Sequence, residues 1–121
     1  MPLYICFCPD ESGAFEKRVA ARGEHLALGQ KDRAAGRTVF GRAFLDDTVA
    51  HHTDRAPPAV PEGHLSPATR GSTMIYRYAT LEEAWKRLKS DPYWVQGVWD
   101  KGKVTINELA YGPSDETLKM A

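Results

Sequence analysis

The spacing of apolar and polar positions divides the chain into short extended runs and two helical stretches. LYICFC, from Leu3 to Cys8, is continuous, rich in strand formers and closed by Pro9-Asp10, which predicts a buried strand. From Ala14 to about Ala35, Phe15, Val19, Leu26 and the small residues around Gly29 recur at roughly helical spacing. Ser12 or Glu11 is the expected start of that helix. Gly36 is the expected stop, because a left-handed residue there satisfies the last carbonyls. RTVFGRAFL, Arg37 to Leu45, reads as a second strand in which Gly41 marks a bulge or a close approach.

The segment from Asp46 to Gly71 has four prolines and almost no periodic apolar signal, so it is expected to be a long loop, a length that in compact domains is functional or disordered. STMIYRYA, Ser72 to Ala79, resumes strand character. Thr80 followed by Glu83 is a capping-box pattern opening a helix to about Lys89, with Leu81, Ala84, Trp85 and Leu88 on one face. Asp91-Pro92 breaks it, a short helical turn is expected over Tyr93 to Val98, and KVTINELAY, Lys103 to Tyr111, is the last strand. Residues 1–111 form the expected single domain, with 46–71 as a loop insertion and 112–121 as a peripheral tail.

The resulting order, β-α-β-loop-β-α-β, implies an α+β ferredoxin-like sandwich, with helices on one face of a four-stranded antiparallel sheet. The other face is left uncovered. A second copy is expected to bury it, or it lines a pocket.

Charge narrows the partners. Sixteen basic residues balance sixteen acidic ones, whereas nucleic-acid binders carry a basic excess or stripe, so no nucleic-acid partner is expected. The apolar runs fall far short of the ~18 residues a membrane span needs, and no basic region precedes a signal-type stretch, so a cytoplasmic protein without a membrane partner is expected. Cys6 and Cys8 lie two apart, a poor geometry for a bridge in an extended chain, and read as reduced, small apolar groups. Neither a Gly-rich phosphate loop nor a nucleophile-elbow motif occurs, and no cofactor is expected.

Three stretches carry a resemblance. The Arg-x-x-His-Leu segment (Arg22 to Leu26), Gly-Ser-x-x-Ile (Gly71 to Ile75), and DPY followed by GV (Asp91 to Tyr93, Gly97 and Val98) stand in the order and spacing of the YciI-like (YCII-related) family, which the chain resembles from about Tyr4 to Leu109. The resemblance implies a ferredoxin-like subunit that forms a homodimeric α/β barrel, of the kind shared with muconolactone isomerases and cofactor-free small monooxygenases. It also implies a candidate active site centred on a histidine and an aspartate, which fall here on His25 and Asp91, and dehydrochlorinase or lyase chemistry on aromatic ring compounds.

A histidine held by a carboxylate makes a usable general base, since the carboxylate fixes the tautomer and stabilises the imidazolium. Read without the resemblance, His25 is a helix histidine satisfied by a neighbouring Glu or by solvent, and Asp91 a turn initiator. Tyr93, Trp94 and Trp99 are expected to wall an apolar pocket for a flat small-molecule substrate; the competing reading has them sealing a dimer interface. Arg18 and Arg22 share a helix face with His25, where they bind a substrate carboxylate or phenolate, or else pair with Glu in solvent. His51, His52 and His64 lack metal-ligand spacing, so no metal is expected. The reading that results is a cofactor-independent lyase, dehydrochlorinase or isomerase using His25 and Asp91, set against a ligand-binding or dimeric interaction module without catalysis.

Overall fold

The computed structural model describes residues 1–46, 66 and 68–119; the loop histidines His51, His52 and His64 lie outside the described residues. The elements are β1 (Leu3–Pro9), α1 (Phe15–Ala34), β2 (Thr38–Leu45), β3 (Thr69–Arg77), α2 (Leu81–Lys89), α3 (Pro92–Val95) and β4 (Thr105–Glu108). The strands form one four-stranded sheet in the order β2-β3-β1-β4, every neighbouring pair antiparallel. This is the ferredoxin-like α+β arrangement. β3 starts earlier than its apolar run, at Thr69, because Gly71 and Thr69 pair with Phe44 and Leu45. β4 is shorter than expected, since it is an edge strand paired only along Tyr4 to Phe7 of β1.

The helix ends follow local chemistry. α1 begins one residue after Ala14, which caps it without a side-chain bond, so neither Ser12 nor Glu11 acts as expected; Gly13, at φ 70°, makes the turn into it. At its end Gly36 takes φ 74°, with Gly36 N–H donating to the Arg33 carbonyl at 3.0 Å and Arg37 N–H to that of Asp32 at 2.8 Å. These two bonds are the Schellman pattern, and they return the chain directly into β2. Thr80 Oγ1 accepts from Glu83 N–H at 3.2 Å, while the Glu83 carboxylate reaches Ala79 N–H at 3.1 Å. Gly41 was expected to mark a bulge or a close approach; the register shifts of β2 fall between Thr38 and Phe40 and between Phe44 and Leu45.

Alternation along β1 and β3 sorts the two faces of the sheet. Tyr4, Cys6 and Cys8 with Met74 and Tyr76 are buried in one core with Ala21, Ala84, Leu88, Tyr93 and Trp99 of the helical layer. Ile5, Phe7 and Phe40, on the opposite face, are exposed. There Phe44 lies 4.8 Å from Phe7, ring to ring, across Gly71; a Cβ on Gly71 would come within 2.1 Å of the Phe44 ring, so only glycine fits. The tail folds back on the domain: Arg77 donates to the carbonyls of Gly36 (3.0 Å), Leu118 (2.8 Å) and Asp115. Among the described residues no helix is long and apolar enough to cross a membrane.

Candidate active site

Asp91 is placed by the break it creates. It caps α3, its Oδ1 accepting from Tyr93 N–H at 2.9 Å, and Pro92 occupies the first helical position, where no donor is needed. α1 packs alongside and brings His25 Nδ1 to the same Oδ1 at 2.7 Å. One turn before Asp91, at the end of α2, Arg87 Nη1 donates to Oδ2 at 3.1 Å, and Arg87 Nε also binds Asp32 of α1. Asp91 is 0 % exposed, and three donors converge on its two oxygens.

Those donors decide its charge. Burial pushes the Asp91 carboxyl up, but the His25 hydrogen bond and charge, the Tyr93 N–H and the Arg87 guanidinium outweigh it and hold the carboxyl below its ordinary value. An ionised carboxylate only accepts, so Nδ1 of His25 carries the hydrogen of the 2.7 Å bond. In the neutral ring the free lone pair is then on Nε2, on the opposite edge.

Aromatic rings fix the imidazole from behind. Tyr93 stacks on it at 3.9 Å and 12°, and Trp99 meets it edge-on at 6.2 Å. Arg18 lies over the outer side of this group, 4.5 Å from the Tyr93 centroid, and is locked by two 2.8 Å bonds to Asp10. Ser72 Oγ accepts from Arg18 Nη2 at 2.7 Å and from Trp99 Nε1 at 3.2 Å. With both lone pairs engaged, its O–H is free to act only as a donor.

A cavity of about 120 Å³ opens between α1 and the β2–β3 part of the sheet, lined among others by His25, Asp91, Arg18, Arg87 and Ser72. Gly29 on the helix and Gly41 and Ala43 on β2 leave it open. Its volume is of the order of the ~150 Å³ void that holds benzene. Among the described residues no group of three or more His, Cys, Asp or Glu is arranged to hold a metal ion. Cys6 and Cys8 are free and fully buried, and burial pushes both thiols up, Cys6 to about 12.

The structure brings His25, Asp91, Arg18, Tyr93 and Trp99 together. Arg22 lies close enough for its charge to act on the Tyr93 phenol. The aromatic pocket wall is corrected, however: none of Tyr93, Trp94 and Trp99 lines the cavity. Tyr93 and Trp99 are packed beneath the imidazole, and the Trp99 N–H is consumed by Ser72. Trp94 turns the other way, edge-on to Trp85 at 6.4 Å, with Lys89 and Lys101 over its ring. The sequence reading also missed Arg87, although it stands four residues before Asp91, the spacing at which helical charges meet. Arg33 was missed too, although it extends the Arg18, Arg22, His25, Gly29 stripe by one more turn.

The YCII-related domain model matches residues 2–106, and the chain belongs to that family. Over 104 residues it is 31% identical to "Aspartate kinase FUB3" of Fusarium oxysporum f. sp. lycopersici, covering 85% of this chain but 17% of that protein. It is 28% identical over 104 residues to "Fusaric acid biosynthesis protein 2" of Gibberella fujikuroi, covering 85% of this chain and 88% of that one. Among solved structures it resembles the 5-chloro-2-hydroxyhydroquinone dehydrochlorinase TftG of Burkholderia phenoliruptrix, in complex with 2,5-dihydroxybenzoquinone, with a TM-score of 0.67 and 17% identity over 91% of this chain and 95% of that one. That likeness is one of fold.

Proposed function

We propose that the protein is a cofactor-independent enzyme that moves a proton on a small ring compound, with His25 Nε2 as the base and Asp91 as the group that orients it. The observation that supports this reading most is the 2.7 Å His25–Asp91 contact, in which the carboxylate is wholly buried and independently held by Arg87 and Tyr93 N–H. A structural histidine does not need a carboxylate so firmly fixed.

In the proposed reaction Nε2 takes a proton from a ring C–H or hydroxyl, and the electron pair left behind moves into the ring toward an oxygen substituent. Either a leaving group departs with its own bonding pair, which is elimination, or the proton returns at another carbon, which is isomerisation. The Ser72 O–H and the Arg18 guanidinium are suited to stabilise charge developing on that oxygen. The cavity volume favours a single ring, and TftG acts on a chlorinated hydroxyhydroquinone. The Gibberella relative adds a link to small-molecule biosynthesis by name.

A homodimer is part of the same proposal. Ile5, Phe7 and Phe40 are 37 %, 50 % and 37 % exposed on the uncovered sheet face, an apolar surface suited to a second copy.

The test is proton–deuterium exchange and halide release on a panel of hydroxylated and chlorinated phenols, quinols and lactones, with wild type and His25→Gln compared. Turnover of one class, falling about 10²- to 10⁴-fold in the variant, supports the reading. Undiminished turnover in His25→Gln, or none by wild type across the panel, overturns it.

A further inference from the structure

Trp94 takes no part in the acid/base site, and it does not stand alone where it lies. With Trp85 of α2 it walls a surface groove of about 600 Å³, whose other lining residues are Glu82, Lys86, Lys89 and Lys101. The groove shares no residue with the His25 cavity. It belongs to the helical layer, so a second copy seated on Ile5, Phe7 and Phe40 of the open sheet face would leave it uncovered.

The two indoles meet edge-on, with ring centroids 6.4 Å apart and planes at 74°. Lys89 Nζ lies over both, 5.5 Å from the Trp85 centroid and 5.8 Å from that of Trp94. Lys101 Nζ is 5.3 Å from the Trp94 centroid. Lys86, Lys89 and Lys101 are exposed, and among the described residues none of them forms an ion pair. Lysine stems commonly cover surface aromatics, and Lys86 and Lys89 also suit the negative end of α2. Lys101 has no helix end to serve. It comes from the turn after Trp99, yet its ammonium reaches the same ring. Two half-buried indoles and three uncommitted cations thus share one groove, which suits an occupant that is both anionic and apolar.

We propose that this groove docks a short acidic segment of a partner protein, one that carries an aromatic or leucine side chain among its carboxylates. The two requirements are linked. A carboxylate arriving from the partner draws an ammonium off the indole face, and the face so freed accepts the apolar side chain. The charge pattern of α2 limits the length of the segment. Glu82 lines the groove one turn before Lys86, with Glu83 beside it, so a long polyanion or a charged membrane plane laid along the helix would meet repulsion there. A short segment confined to the lysine end avoids it.

The test is titration of nitrogen-labelled protein with three acetylated and amidated peptides, EEFEEL, QQFQQL and EEGEEG. Binding is read at the tryptophan indole N–H signals, which Trp85→Phe and Trp94→Phe assign. EEFEEL should move the Trp85 and Trp94 signals and leave that of Trp99, whose N–H is buried against Ser72, in place. The other two peptides should bind about tenfold or more weakly, since each lacks one half of the linked contact. Lys89→Gln and Lys101→Gln should each weaken EEFEEL about two- to fivefold, the range for one exposed ion pair, while His25→Gln should bind it as wild type does.

Equal affinity for EEFEEL and QQFQQL, lysine variants that bind as wild type, or no movement of either signal at about 2 mM EEFEEL overturns the proposal. The same titration with vesicles of phosphatidylcholine and phosphatidylserine tests the other occupant. Movement of the Trp85 and Trp94 signals by vesicles alone, with the peptides silent, gives this face to a membrane and overturns the proposal as well.

Discussion

Asp91→Asn tests how much the buried carboxylate holds together. The side chain has no exposure, and its oxygens accept from His25, Arg87 and Tyr93 N–H at 2.7, 3.1 and 2.9 Å. The amide keeps the shape and one acceptor, so the α3 cap survives. Its NH2 group, however, faces the Arg87 guanidinium with donor against donor. Breaking one side of a buried charge pair costs about 3–5 kcal/mol. Arg87 keeps Asp32, which places the expected loss near the lower end, about 3 kcal/mol. With a urea slope of about 1–3 kcal/mol per molar, the unfolding midpoint at neutral pH should fall by about 1–3 M.

The pH dependence has a definite sign. The folded Asp91 carboxyl is held below its ordinary value, so its contribution is complete above the unfolded value of about 3.9 and disappears as pH falls through the lower folded one. The gap between wild type and Asp91→Asn should therefore be constant above about pH 5 and narrow in more acid solution. A midpoint shift under about 0.3 M at neutral pH, or a gap that widens on acidification, refutes the reasoning.

Other expectations follow from single contacts. Gly71→Ala forces a Cβ against the Phe44 ring and should cost about 1–3 kcal/mol by chemical denaturation; a neutral result would mean that the Phe7–Phe44 pair is free to move. Thr80→Ala removes the α2 cap and should cost about 1 kcal/mol in the same assay. The buried Cys6 and Cys8, with thiols pushed up by burial, should react with an aromatic disulfide reagent only after denaturant is added, and a fast reaction in native buffer would contradict their placement. Phe7→Lys should shift sedimentation from dimer to monomer, and an unchanged dimer would move the proposed interface off the open sheet face.

Much of the architecture was written locally. Periods of two and 3.6, Gly36 after α1 and Thr80 with Glu83 before α2 each announce their element within a few residues. What misled was the Tyr93-Trp94 pair, because neighbours on a helical turn point about 100° apart. When Tyr93 faces His25, Trp94 must face away, toward Trp85. His25 and Asp91 were singled out by resemblance, while their contact depends on α1 packing against α3.

The acid/base account depends on which nitrogen of His25 is bare. Proton–nitrogen correlation spectroscopy of the neutral ring, assigned by its loss in His25→Gln, reads this directly in wild type and in Asp91→Asn. The account predicts Nδ1–H with an unprotonated Nε2 in wild type, and the same tautomer in Asp91→Asn, where the retained Oδ1 still accepts from Nδ1. Nε2–H as the dominant form in wild type would leave the ring without a lone pair on the edge away from Asp91, and would contradict the account at its centre.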